Sequence, residues 1–329
     1  MAEGRLLREM VRAGARGDSS AFKRAAQDVI REERTKKHHL LANDLERILY
    51  GEDSSAPVAL GRDYQVPKDH ERGLDLLTNR RPIRTLAEVE VDPETRGVLD
   101  EVLLEQSHFD VLKSHGLRAI QRLLFFGPPG CGKTSAAEVL ATELGVDLVI
   151  VRFDAVVSSF LGETAANLRK VFDFISANRV VALFDEFDAI AKERDDPGEH
   201  GELRRVVNAF LQMLDAYRGE SVVVAATNHE HLIDSALWRR FDEVVLFDRP
   251  GLSQLEPLLE MKLRGARHEL PIHDSEFLGR LVGMSHADIE RVVVRAIKQM
   301  VLKGRQFLTA DLFADALNRE RHRIGRVAK

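Results

Sequence analysis

Eight residues constrain this chain more than any others: Gly127-Pro128-Pro129-Gly130-Cys131-Gly132-Lys133-Thr134. They follow the apolar run Leu123–Phe126. They precede Ser135–Leu144, where apolar residues recur at helical spacing. A strand that turns through glycines into a helix gathers backbone N–H groups at one point. The positive end of the helix dipole faces the same point. The pattern G-x-x-x-x-G-K-T in this setting is a cradle for phosphate. In it Lys133 is placed to reach the β- and γ-phosphates and Thr134 to offer a hydroxyl to Mg²⁺. Ser135 completes the nucleotide-binding run.

A second apolar strand, Val180–Phe184, delivers Asp185 and Glu186 at its end. Asp185 is expected to hold the Mg²⁺ shell. Glu186 is expected to orient and deprotonate an attacking water. The implied ligands are ATP and Mg²⁺, and the implied reaction is ATP hydrolysis. Leu148–Val151, Val222–Ala226 and Val244–Phe247 read as further buried strands. Ala165–Ser176 and Arg204–Tyr217 read as helices between them. Buried strands alternating with helices predict an α/β fold, a parallel sheet with helices on both faces. From Ser253 onward the pattern is helical only, predicting an all-α lid. The N-terminal stretch also reads as helices. The expected division is a helical domain over 1–50, a linker over 51–84, the α/β ATPase domain over 85–250 and the lid over 251–329.

From about residue 85 to 320 the chain resembles the AAA ATPase family. Gly-Pro-Pro-Gly-x-Gly-Lys-Thr is that family's form of the loop, and Asp185-Glu186-Phe187-Asp188-Ala189-Ile190 resembles its acidic strand. Val223-Val224-Ala225-Ala226-Thr227-Asn228 resembles the sensor-1 strand. Leu232–Asp242, which contains Trp238-Arg239-Arg240-Phe241, resembles the second region of homology. The resemblance implies that Asn228 contacts the γ-phosphate or the water. It implies that Arg239 and Arg240 act as arginine fingers in a neighbour's site, with Arg240, directly before Phe241, favoured. It further implies a homo-oligomeric ring of six subunits.

Phe160-Leu161-Gly162 matches the aromatic–hydrophobic–glycine pore loop by which such unfoldases grip a polypeptide; a core position for Phe160 is the plainer alternative. Arg194–Gly201 sits where a second pore loop would lie; a plain surface loop is the alternative. Leu86–Val91 corresponds to the segment under the base. Gly283-Met284-Ser285-His286-Ala287-Asp288-Ile289 resembles a lid segment, but His286 stands where the family has glycine. That histidine could face the adenine or ribose, or simply start a surface helix. Cys131 reads as a small filler residue; a reactive thiol beside the phosphates is the alternative. His38-His39 reads as a solvated helix face.

Composition narrows the partners. One cysteine in 329 residues excludes an intrachain disulfide. It also fits a reducing, cytoplasmic setting. A net charge of −5 argues against a dedicated nucleic-acid binder. No run is apolar enough to span a membrane. No G-x-S-x-G or H-E-x-x-H occurs, so a protease would have to be a separate protein. The expected activity is ATP-driven remodelling, unfolding or translocation of a protein substrate, with a protease or adaptor as possible partner. A nucleic-acid remodeller or loader on the same core, and a regulatory switch that translocates nothing, are the alternatives.

Overall fold

The computed structural model describes residues 64–157, 161–187, 200–229 and 238–327, with Ala25 and Asp28 besides. The chain divides into two compact units, Met1–Leu60 and Gly61–Lys329. The helices expected over 1–50, His38-His39, Phe160 and residues 188–199 lie outside the described residues.

The second unit is built on a six-stranded sheet. Its strands are β1 (Leu77–Arg80), β2 (Arg122–Phe126), β3 (Leu148–Val151), β4 (Val181–Phe184), β5 (Val222–Thr227) and β6 (Glu243–Leu246). They lie in the order β1-β3-β4-β5-β2-β6. All neighbours run parallel except β1, which pairs antiparallel with β3. The helices that precede the lid are α1 (Pro93–Ser107), α2 (Phe109–Ser114), α3 (Lys133–Glu143), α4 (Phe153–Val156), α5 (Leu161–Ala177) and α6 (His200–Ala216). Those of the lid are α7 (Leu252–Lys262), α8 (Ser275–Gly279), α9 (His286–Leu302) and α10 (Ala310–Val327).

Strand alternation divides the apolar side chains between two layers. Leu124, Ala182, Phe184, Val223 and Ala225 face one way, toward Phe172 of α5 and Phe210 and Leu214 of α6. Leu123, Phe125, Leu183, Val224 and Ala226 face the other, toward Leu99 and Val102 of α1 and Ala136 and Leu140 of α3. Covering both faces is what a parallel sheet requires, because its strands are apolar on both sides. The parallel α/β sheet with a helical lid is therefore the observed architecture.

One segment departs from its sequence pattern. Leu77–Arg80 lies in the stretch expected to be linker, yet it forms the edge strand β1. Only Leu77 of its four residues is buried, so its polar composition hid the strand. Leu76 and Leu77 also join the core, against which Tyr64 and Val66 pack.

The lid has its own apolar core, centred on Leu259, Leu281, Val292, Leu312 and Phe313. Charge ties its long helices together. Arg291 of α9 donates to the fully buried Glu320 of α10 at 2.8 Å. Arg323 reaches both Glu320 and Asp288.

Phe210 is the hub of the α5–α6 layer, with ring centroids 5.6, 5.0 and 4.8 Å from Phe172, Phe184 and Phe187. Phe210→Ala should lower unfolding stability by about 3–5 kcal/mol. Denaturant titration checks this; a midpoint indistinguishable from the wild type would refute that hub role.

Candidate functional site

Three strands end at one place. β2 runs into Gly127, β4 into Asp185 and β5 into Asn228, and these strands are neighbours in the sheet. In open α/β sheets the carboxyl ends of the strands frame the ligand crevice. Here the crevice is a cleft of about 310 Å³.

The phosphate loop forms its floor. Gly127 adopts φ +129°, and a Cβ there would sit 2.3 Å from the Phe247 carbonyl oxygen. Only glycine lets β2 leave the sheet so close to the end of β6. Lys133 is buried and donates to the carbonyls of Gly127 at 2.6 Å and Pro128 at 2.9 Å, which places its ammonium inside the loop. Pro129, Gly130, Gly132, Thr134 and Ser135 also line the cleft. Arg84 donates to the Ser135 hydroxyl from the opposite wall.

The two acids meet this floor. The Thr134 hydroxyl donates to Asp185 Oδ2 at 2.8 Å, and the Glu186 N–H donates to Asp185 Oδ1 at 3.0 Å. A hydroxyl and a carboxylate converging at that distance are hard oxygen donors, the set that suits Mg²⁺. Thr134 and Asp185 are thus the residues that fit the ion. Glu186 has φ +53°, a left-handed conformation that is costly for a residue with a Cβ. The next residue pays for this strain: Phe187 is buried, and its N–H donates to the Ala226 carbonyl at 2.9 Å. The strand end is thereby locked with the Glu186 side chain exposed at the cleft. Asn228 lines the same cleft from β5.

The lid closes the remaining wall. Ser285 caps α9 and exchanges hydrogen bonds with Asp288, at 2.7 Å between side chains and 3.2 Å from the Asp288 N–H. Asp288 is partly buried, which alone would raise its pKa; the bonds from Ser285 and Arg291 outweigh that and hold it below the ordinary value. The Ala287 N–H then donates to the Gly130 carbonyl at 3.0 Å. A Cβ on Gly130 would meet Ser285 Oγ at 2.9 Å, so the loop's second glycine is where the lid seats.

His286 is not a surface histidine. It lines the cleft, and both ring nitrogens are shielded from solvent. Burial, and then the charge of Lys262, lower its pKa; the Glu90 backbone oxygen partly opposes them. The expected segment under the base does border the cleft, through Glu88, Val89 and Glu90. Sequence reasoning missed Arg84, Leu258, Met261, Lys262 and Glu290, which line it too. Lys262 and Glu290 form an ion pair at 2.7 Å. Nothing local marks these residues; they reach the cleft only because the lid folds over it.

Arg239 and Arg240 are not among the residues that line the cleft. Arg240 forms an ion pair with Asp215 of α6. Arg239 is exposed and makes no ion pair with any described residue. Trp238 beside them packs against Phe126 with ring centroids 5.3 Å apart and planes tilted by 58°. Leu161 and Gly162 open α5.

The reactive reading of Cys131 does not hold. The thiol is buried, and burial pushes its pKa up, with the Lys133 charge opposing. Among the described residues no helix is long and apolar enough to cross a membrane.

Residues 123–249 match the model of the ATPase family associated with various cellular activities (AAA). An uncharacterized AAA family ATPase of Sinorhizobium fredii, y4kL, is 37% identical over 98% of this chain and 97% of its own length. An ATP-dependent zinc metalloprotease FtsH 1 of Sphaerobacter thermophilus is 30% identical over 74% of this chain but 38% of its own length. A putative 26S proteasome regulatory subunit homolog of Methanocaldococcus jannaschii is 32% identical over 60% of this chain and 55% of its own. The chain therefore spans about half or less of those last two relatives.

Native protein treated with a maleimide should leave Cys131 unmodified, and denatured protein should label fully, as intact mass would show. Rapid labelling of the folded chain would contradict the buried, protonated thiol.

Proposed function

The chain belongs to the AAA family of ATPases and is an ATP hydrolase; from that premise we propose that it works as a ring that remodels or unfolds protein substrates. The observation that carries the reading is one of position. Lys133, Thr134, Asp185, Glu186 and Asn228 converge on one cleft, while the two arginines lie elsewhere on the same unit.

Each residue has a chemical task in this proposal. The loop N–H groups and Lys133 hold the phosphates. Thr134 and Asp185 hold Mg²⁺, which neutralises charge on the β- and γ-oxygens when bound. Glu186 accepts the proton of the attacking water. Asn228 orients that water or the γ-phosphate. A cation from a neighbouring subunit stabilises the transition state, an effect worth about 10³–10⁵ in rate in related NTPases. A head-to-tail interface of that kind closes into a ring.

The Asp215 ion pair bears on which arginine reaches across. Arg240 is engaged within its own chain, so we assign the trans role to Arg239 in preference to Arg240. Arg240 then positions the segment.

The relatives named as a metalloprotease and a proteasome regulatory subunit support a protein substrate. We assign any proteolysis to a separate partner, a reading supported by the lack of an H-E-x-x-H motif in this sequence. The Phe160-Leu161-Gly162 segment supports threading, with Phe160 gripping the extended polypeptide.

Glu186→Gln and Arg239→Ala should each bind ATP and lose turnover, the latter by roughly 10³-fold. Mixing the two inactive proteins should restore hydrolysis at roughly one interface in four by random assembly. Steady-state ATPase assays check this, with Arg240→Ala in parallel; no recovery on mixing would sink the trans assignment. Threading has its own test. Phe160→Ala should keep ATP turnover and stop unfolding of a tagged fluorescent substrate. Undiminished unfolding would leave a switch that translocates nothing as the better description.

A further inference from the structure

We infer that His286 reads the base of the bound nucleotide, accepting a hydrogen bond from the 6-amino group of adenine. The inference rests on the ATP site described above and deepens it.

The placement comes first. His286 is the first residue of α9, next to Ala287, whose N–H holds the Gly130 carbonyl of the phosphate loop. A nucleotide with its phosphates at Lys133 and Thr134 extends away from β2 toward the wall between Val89, Glu90 and the lid. Leu258 and Met261 of α7 supply apolar surface there, and His286 presents the polar edge.

The second observation concerns satisfaction. Neither ring nitrogen of His286 is exposed to solvent; one faces the Glu90 backbone oxygen, and the other has no hydrogen-bond partner within the protein. Buried polar groups are almost always paired, so an exception calls for an explanation. Among the described residues His268, Gln299 and Glu320 also bury an unpaired atom, but none of these three lines the cleft. His286 alone combines the two properties. A ligand in the cleft is a partner available to it.

The third concerns which partner. Burial and Lys262 favour the neutral ring, in which one nitrogen carries a proton and the other a lone pair. The Glu90 backbone oxygen is an acceptor and favours the N–H on the side facing it. The other nitrogen is then an acceptor and needs a donor. Adenine offers one at its 6-amino group, whereas guanine carries an acceptor, O6, at that position. A lone pair facing O6 repels. The same geometry therefore selects adenine and rejects guanine.

The test compares ATP with purine riboside triphosphate, which lacks the 6-amino group, by calorimetry with the full chain. The wild type should bind ATP about five- to tenfold more tightly, the effect of one hydrogen bond. In His286→Ala that preference should fall to less than about twofold, with affinity for the amino-free nucleotide nearly unchanged. His286→Phe keeps a ring of similar size without the nitrogens and should behave likewise, which guards against a collapsed lid. Should both variants retain the full preference, or weaken both nucleotides equally, His286 does not read the base. Failure of the wild type to bind either nucleotide would remove the ATP site itself, a distinguishable result.

Discussion

The hydrogen bond from the Ala287 N–H to the Gly130 carbonyl, 3.0 Å long, joins the helical lid to the phosphate loop at a single glycine. The lid has a separate apolar core, so its orientation over the loop depends on this bond together with the few contacts beside it, such as that of His286 with the Glu90 backbone. The contact needs three things at once. Gly130 must lack a Cβ, Ser285 must cap α9 so that the Ala287 N–H points outward, and Asp288 must be ionised to hold Ser285. A group that binds the loop from the cleft side therefore touches the same few atoms that seat the lid. Coupling of this kind is local: it runs through one peptide group and one capping box rather than through the sheet.

The opposite wall is secured differently. The segment from Arg80 to Glu88 is laid along α3 by side chains of that helix. Arg80 pairs with the buried Glu138 at 3.5 Å, and the Ile83 N–H reaches the same carboxylate at 3.4 Å. The Leu86 N–H donates to Glu143 at 2.9 Å, and Arg84 reaches Ser135. Helix α3 begins at Lys133, so the helix that follows the phosphate loop also carries the wall next to it. Glu138 is shielded from water, and a charge in that position without Arg80 would be poorly compensated. Both walls of the cleft are thus referred to the phosphate loop, one through α9 and one through α3.

These dependencies explain what could be read in advance. The floor of the cleft was legible because its chemistry is consecutive in sequence: Gly127–Thr134 and Asp185-Glu186 each follow an apolar strand. The four inner strands β2 to β5 were legible for a related reason, since a strand buried on both faces must be apolar throughout, and the edge strand β6 was legible because it keeps the apolar run Val244-Val245-Leu246 although only Val245 is buried. β1 was not, because an edge strand can fulfil its role with one buried residue, Leu77, and three polar ones. The walls were not legible either. Lys262, Glu290 and Arg84 owe their position to packing between segments far apart in sequence, and no spacing rule encodes it. His286 was ambiguous for the same reason: a histidine at a helix start looks identical whether the helix end meets water or a cleft.

The ion pair between Arg240 and Asp215 deserves weighing by energy as well as geometry. Both side chains are about a third or more exposed. Pairs of that exposure contribute only about 0–1 kcal/mol. Such a pair would not prevent Arg240 from being recruited at an interface, where a triphosphate offers a stronger, less hydrated partner. It does bias the unassembled subunit. Arg239 has no internal partner to give up among the described residues, whereas presenting Arg240 gives up its pair with Asp215, a difference of at most about 1 kcal/mol. Trp238, packed at a tilt against Phe126 at the end of β2, links this segment to the strand that feeds the phosphate loop. In the proposed ring, movement at one loop would then shift the arginine offered to the next site through that aromatic contact.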